Sequence, residues 1–483
     1  MNRRQFSRTL AGACAGALAA PADRPNIVLC MGDDHGWNET AYNGHPYLRT
    51  PVLDEMAASG LRLDRFYSAH PNCSPTRGSI MTGRHPNRYG TFAPNWSIRP
   101  EEITIAQLLR SSGYACGHFG KWHLGPVKRE SPTCPGAMGF DEWLSHDNFY
   151  EVDPWLARNG EKPRQYPGES SEIVVREALR FIGKAKADRK PFFTVIWFGS
   201  PHAPYVGVEP YLSMYRDAPE AIRARLAEIS AMDHAMGILR TELKRQGVSP
   251  NTLVWYCGDN GVVPEGRLTT PYRGAKGDVY EGGIRVPGII EWPERIAKPM
   301  ASSVNAVTTD ILPTLCDLTG VRLPRRPLDG LSLKPLIEGR MRERPQPVYF
   351  WEFDASRERN REPYLAPSLQ AGTTPTATER DGKLTRDFQN FRHPRIEDGD
   401  YAGQAAVLGN RYKLVVDGPE GRGAARRRPA GSKRELFDLA ADRGETTNLA
   451  SSKPEIAAEM ERGLRVWQKS VLTSLTGADY TAG

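Results

Sequence analysis

No stretch of this chain approaches the roughly twenty consecutive apolar residues that a transmembrane helix requires, so no stable membrane span is expected. CxxC pairs are missing as well. The seven cysteines, at 14, 30, 73, 116, 134, 257 and 316, leave an odd number and imply no dense disulfide framework. There is no repeat at solenoid periods and no low-complexity tract longer than a loop. An excess of one charge is also lacking. The formal net charge of +7 becomes +4 if Arg3, Arg4 and Arg8 are lost with an N-terminal segment, too mild a balance to indicate nucleic acid, and none is expected as a partner.

What is present is an ordinary globular composition, 39% apolar and 25% charged over 483 residues, long enough for two or three units and one deep core. The first 22 residues stand apart. Arg3-Arg4 precede a small apolar run from Leu10 to Ala20 and alanine-rich cleavage sites before Asp23, the pattern of a twin-arginine export signal. A degenerate lipobox around Cys14 fits poorly. The mature protein is therefore expected outside the cytoplasm, in the periplasm or beyond the cell.

Short, continuous runs rich in β-branched and aromatic residues, NIVLCM at 26–31, FFTVIWFG at 192–199 and TLVWYC at 252–257, read as strands covered on both faces. Helical periodicity alternates with them over 51–59, capped by Thr50 and stopped by Gly60, and over about 104–112, 171–186 and 217–246. Alternation of this kind predicts an α/β fold with a large, mostly parallel sheet flanked by helices. Near residue 340 the texture changes to PVYFWEF, NRYKLVVDG and RELFDL, with a final helix over about 454–473. The expected division is an export signal over 1–22, a catalytic α/β domain over 23–340 and a smaller antiparallel sheet plus helix over 341–483. Residues 355–405, polar and without period, read as either a disordered insertion or a loop near a ligand. The arginine-rich run at 422–434 reads most simply as a solvated hairpin tip, with attraction of a polymeric polyanion as the alternative.

Open α/β sheets place chemistry at the carboxyl ends of their strands. Asp33-Asp34 follow the first strand and Asp259-Asn260 follow TLVWYCG, so two strand ends offer oxygen-bearing side chains to one crevice. Clustered carboxylates repel one another without a cation. An all-oxygen set indicates a hard ion, Ca²⁺ or Mg²⁺, and His35 beside it is expected to face away. Cys73 is the odd residue, in PNCSPTRGSIMTGR at 71–84, where Arg77, Arg84 and a helix start would gather an anion. Proline suits a first helical turn, so Pro75 and Gly83 bracket a helix from about Ser74 to Thr82. A thiol is a poor ligand for a hard metal and a moderate nucleophile. Cys73 is thus either a structural bystander or a precursor of something carrying oxygen.

Cys73-Ser74-Pro75-Thr76-Arg77 with Met81-Thr82-Gly83-Arg84 resembles the signature of the type I sulfatases, formylglycine-dependent members of the alkaline phosphatase superfamily that include the arylsulfatases. The resemblance continues through GKWHLG (120–125), SPHAPY (200–205), CGDNG (257–261), RGAKGDVYEGGIRVP (273–287), LDGLSLKPL (328–336) and ELFDL (435–439). It implies that Cys73 is oxidised to formylglycine by a maturase, before export if the twin-arginine route carries folded protein. It further implies that Asp33, Asp34, Asp259 and Asn260 bind one divalent cation, most simply Ca²⁺, with the modified Cys73. Arg77 would hold the hydrated aldehyde, His123 would hydrogen-bond it, Lys121 and Lys276 would grip sulfate, and His202 would face the sulfate or leaving oxygen. One hydroxyl of the hydrate would attack sulfur and the second would expel sulfate, a route closed to serine. His202 and Lys276 both remain as proton donors to the leaving group.

The nearest rival is a phosphodiesterase or phosphonate monoester hydrolase of the same superfamily, which tends to place histidine where this chain has Asn260. A non-catalytic binder of sulfated glycans is the rival from another class. A carbohydrate sulfate ester is the expected substrate, with His146, Asp147, Asn148, Tyr150, Trp96 and the 355–405 segment as readers of its sugar.

Overall fold

The continuous apolar runs become neighbouring strands in the computed structural model, which describes residues 24–375, 386–416 and 434–480. Strands β1 (Asn26–Gly32), β2 (Ala115–Lys121), β3 (Glu142–His146), β4 (Phe192–Trp197) and β5 (Thr252–Gly258) lie in the order β5-β1-β4-β2-β3. Every neighbouring pair among them is parallel. All residues of β4 and β5 are buried, which is why these strands read as unbroken apolar runs and not as alternation. Shorter strands extend the layer to ten, with antiparallel Gly288–Glu291 beside β5 and antiparallel Trp155–Arg158 beside β3.

Helices α1 (Pro51–Ser59), α2 (Cys73–Thr82), α3 (Ile105–Ser111), α4 (Ser170–Ala187) and α5 (Glu220–Arg245) cover this sheet. Its two faces build two cores. Ile27, Leu29 and Met31 point into one and Val28 and Cys30 into the other, as the strand period of two requires. Val174 and Ile182 of α4 and Ile229 and Met236 of α5 fill the second.

One expected cap is not made. Thr50 does not cap α1 with its side chain; its hydroxyl accepts from Ala41 N and donates to Asp54. The orphan N–H groups of Val52 and Leu53 go instead to the Asp233 carboxylate on α5, at 3.1 and 2.8 Å. A tertiary carboxylate replaces the local hydroxyl. Burial, against those N–H donors, pushes the Asp233 carboxyl up to about 7.

Strands β6 (Val348–Trp351), β7 (Ala405–Leu408), β8 (Tyr412–Val416) and β9 (Arg434–Asp438) form an antiparallel sheet. Helix α6 (Pro454–Leu475) packs on it through Leu464, Val471 and Leu472 against Leu414 and Leu436. Fully buried Lys413 joins this sheet to the rest, with Glu281 at 3.1 Å and Glu445 at 2.9 Å. Residues 1–22, which the sequence reads as an export signal, and the arginine-rich run, apart from Arg434, lie outside the described residues. Among the described residues the six cysteines are free and buried, and no helix is long and apolar enough to cross a membrane.

Candidate active site

The carboxyl ends of the parallel strands converge on the first turn of α2. Asn72, in extended conformation, precedes it; Cys73 is its first residue, one earlier than the proline predicts, and Gly83 ends it at φ 68°, a left-handed stop that suits glycine. All ten residues of α2 are buried, so its N-terminus and Cys73 face the interior of the molecule. Gly258 at the end of β5 is needed for close approach, because a Cβ there would lie 2.0 Å from the His35 carbonyl oxygen.

Around Cys73 three carboxylates meet three cationic side chains. Arg77 places one nitrogen 2.7 Å from Asp259 Oδ2 and 3.4 Å from Asp33 Oδ1, and donates its other terminal N–H to the Lys121 carbonyl at 3.1 Å. Lys121 Nζ is 2.7 Å from Asp33 Oδ2 and Lys276 Nζ is 2.6 Å from Asp34 Oδ1. Asn260 Nδ2 donates to Asp34 Oδ1 at 2.9 Å, and Cys73 Sγ is 3.8 Å from the same oxygen. His202 Nε2 stands 3.7 Å from Asp34 Oδ2, with its ring stacked on Phe149 at 4.6 Å. His123 approaches Asn95 Oδ1 at 3.1 Å through Nε2 and leaves Nδ1 buried without a hydrogen-bond partner.

Burial and this charge pattern set the protonation states. Burial pushes Asp34 up, but Lys276, His202 and Lys121 hold it well below the usual carboxylate range. Asp259 is raised to about 6 by burial and by Asp33, against Arg77. Burial alone would discharge Lys276, but Asp34, Cys73 and Asp33 together outweigh it and hold the group as an ammonium. Burial drives His202 down to about 3 and His123 well below its ordinary value, so both rings are neutral at pH 7. The Cys73 thiol is pushed up to about 12 by burial, despite Lys121 and Lys276.

The donor set fits a hard divalent cation. Asp33 Oδ1 and Asn260 Oδ1 are buried without hydrogen-bond partners. Ligand atoms of Asp33, Asp34, Cys73 and His202 come within 4.8 Å of one another, while Asp259 and Asn260 touch the group through Asp34. His202 thus stands closer to the carboxylates than the sequence suggests.

Other expectations resolve differently. His35 does face away, its ring nitrogens engaged by Tyr256 and the Glu39 carbonyl. Arg84 does not gather an anion beside Cys73, because it pairs with Glu102 at 3.3 Å and with Asp479. Trp96 is core, 2% exposed and packed on Phe92 and Phe391, so its size is used for packing and not for a sugar. Asp147 is consumed by the N–H groups of Val127, Thr373 and Thr374, and the Tyr150 hydroxyl donates to the Trp197 carbonyl. Buried His146 approaches the Pro375 carbonyl at 3.1 Å. Only Asn148, bonded to Asn95 at 3.1 Å, keeps a half-buried position beside His123. The described part of the 355–405 segment packs on this region, with the Phe388 ring 6.2 Å from that of His123 and Gln389 bridged to Trp96.

Sequence reasoning missed Arg225. Buried on α5, its guanidinium binds both oxygens of Glu39 at 2.7 Å and donates to the carbonyls of Asp34 and Pro201, each at 2.6 Å. Asp34 sits at φ 60°, a conformation uncommon outside glycine, and Arg225 at its carbonyl with Asp259 at its N–H holds it there. The available signal was an arginine inside the buried stripe of Ile222, Leu226 and Ile229. Arg225→Met is expected to lose about 3–5 kcal/mol of stability, because Glu39 is left buried and unpaired, and adding Glu39→Gln should recover much of it. Denaturant melts of both proteins check this; a single variant as stable as wild type refutes it.

The family model described as Sulfatase matches residues 25–321. N-acetylgalactosamine-6-sulfatase of Mus musculus is 33% identical over 374 residues, 68% of this chain and 70% of its own length. Arylsulfatase A of Bos taurus is 30% identical over 513 residues, spanning 98% of this chain and 92% of its own. A solved structure of Ps i-CgsB in complex with k-i-k-neocarrahexaose shares the fold at a TM-score of 0.74 and 23% identity, covering 92% of this chain and 93% of that one.

Proposed function

The chain belongs to the sulfatase family and is a sulfuric ester hydrolase, and from that premise we propose that it removes sulfate from a carbohydrate ester through an aldehyde made from Cys73. One observation carries the reading: a buried thiol, held protonated at pH 7 and therefore a poor nucleophile, lies amid three carboxylates and three cationic groups. A formylglycine there supplies a hydrated aldehyde, whose two hydroxyls serve to attack sulfur and then to release sulfate. Asp33, Asp34, Asp259 and Asn260 would hold Ca²⁺ or Mg²⁺, which neutralises charge on the group being transferred.

The remaining roles fall to side chains of this protein. Arg77, fixed by Asp259 and Asp33, orients the group at position 73. Lys121 and Lys276 bring ammonium groups to the sulfate oxygens. His123, neutral and with one ring nitrogen unengaged, supplies a hydrogen bond to the hydrate. His202 and Lys276, with side chains 18% and 20% exposed, stand at the opening where the alcohol departs; Lys276 carries a proton there, whereas neutral His202 serves as the acid only if the anionic substrate draws a proton onto its ring.

The carbohydrate reading is supported by the relatives' names, which specify an N-acetylgalactosamine sulfatase and a protein bound to a neocarrahexaose. The twin-arginine start supports export to the periplasm or beyond, with a maturase acting on Cys73 first. Asn260 in place of histidine weighs against the phosphodiesterase and phosphonate hydrolase reading, and the intact catalytic set weighs against a mere glycan binder.

Release of inorganic sulfate from a panel of sulfated saccharides tests the proposal; no release from any sulfate ester by aldehyde-bearing protein overturns it. Chelation should abolish turnover and Ca²⁺ or Mg²⁺ should restore it, whereas stoichiometric zinc without either ion in active protein would remove the hard-cation assignment. His202→Ala should slow a sugar sulfate far more than an activated aryl sulfate, whose leaving group needs little protonation. Equal losses on both would leave Lys276 as the acid.

A further inference from the structure

A second concentration of ionisable groups lies outside this site, where parts of the 355–405 segment meet. Glu358, His393 and Asp400 are only 1, 2 and 2% exposed, and a ligand atom of each comes within 4.8 Å of the others. His393 Nδ1 is 3.1 Å from Glu358 Oε2, and Nε2 is 3.1 Å from Asp400 Oδ2. Arg361 also faces Glu358 Oε2 at 3.1 Å, and the Glu397 N–H donates to Asp400 Oδ2 at 2.6 Å. The other oxygen of each carboxylate, Glu358 Oε1 and Asp400 Oδ1, is buried without a hydrogen-bond partner among the described residues.

A buried carboxylate oxygen without a donor is costly. Doubly protonating His393 brings no relief, because both its N–H groups are then spent on Oε2 and Oδ2 and the bare oxygens stay bare. A divalent cation held between the two carboxylates would supply what the imidazole does not.

We propose that Glu358, His393 and Asp400 form a second metal site, which takes a borderline ion of the Zn²⁺ class and clips the 355–405 segment together. Imidazole with two carboxylates suits such an ion, in contrast to the oxygen ligands around Asp34, which suit Ca²⁺ or Mg²⁺. One ring nitrogen of His393 ligates while the other donates its N–H to a carboxylate, the usual support for a metal-bound histidine. The same segment carries Thr373 and Thr374, which hold Asp147, and Phe388, which faces His123, so the clip braces one wall of the catalytic opening.

The test uses the full-length protein, stripped with a chelator and titrated with Co²⁺ as a spectroscopic stand-in for Zn²⁺. Titration is repeated in Asp259→Ala protein to weaken the oxygen site. Roughly one equivalent should bind with a visible absorption band characteristic of nitrogen ligation, and Zn²⁺ should displace it. The band should vanish in His393→Gln and Asp400→Asn, and Zn²⁺ should raise the melting temperature of stripped wild type but not of these variants. Absence of the band at stoichiometric Co²⁺ in wild type overturns the proposal whether or not the variants fold, and so does a band unchanged in both variants. Wild type that takes up no Co²⁺ there and carries doubly protonated His393 would identify an imidazolium clip instead.

Discussion

Protein carrying Cys73→Ala is expected to fold as wild type and to release no sulfate from any ester. The methyl group fits the space the thiol occupies, and the surrounding ion pairs of Arg77, Lys121 and Lys276 involve aspartates and not the sulfur. What disappears is the oxidisable carbon–sulfur bond at position 73, without which Cβ cannot become the aldehyde whose hydrate supplies the attacking oxygen. In active wild type, trypsin should release Phe66–Arg77, FYSAHPNCSPTR, as a peptide that has lost sulfur, resists thiol alkylation and reacts with a carbonyl reagent. Cys73→Ser should be inactive or stall as a sulfate ester, unless the host's maturase accepts serine. Full alkylation of Cys73 in protein that still turns over would refute the aldehyde mechanism outright.

Lys276→Ala should lower kcat/KM on the order of a hundredfold, about 2.7 kcal/mol of transition-state stabilisation. Its ammonium reaches the opening while paired with Asp34 at 2.6 Å, so it is charged and positioned before substrate arrives. Lys121→Ala should fail in a second way. Lys121 is fully buried against Asp33, and its loss strands a buried carboxylate, so a lowered melting temperature should accompany the lost turnover. Unchanged kinetics in Lys276→Ala would remove that lysine from the site; unchanged stability in Lys121→Ala would remove the argument from burial.

The sheet was legible because β4 and β5 are covered on both faces and therefore carry uninterrupted apolar runs. The carboxylates could be placed for the same reason, since Asp33-Asp34 and Asp259-Asn260 follow such runs directly. What escaped was whatever depends on partners distant in the chain. Thr50 has every local attribute of a cap, yet Asp233 on α5 takes the N–H groups of α1. Trp96 and Asp147 sit where a substrate reader would, and packing or backbone donors occupy them. Arg225 was hidden in an otherwise regular helical stripe, because a buried guanidinium announces itself only when its carboxylate and carbonyl partners are known.

The register of the central sheet also sets a clock. β1 pairs with β4 on one side and β5 on the other, so neither neighbour of the strand that presents Asp33 and Asp34 exists until synthesis has reached residues 197 and 258. Position 73 leaves the ribosome 185 residues before position 258. At the usual pace of about 5–20 residues per second, that is roughly ten to forty seconds during which the segment around Cys73 cannot be enclosed by its final neighbours. If Cys73 is oxidised as proposed, an enzyme that modifies the nascent chain would have that interval to act, and slower translation should increase the fraction of molecules that emerge chemically competent.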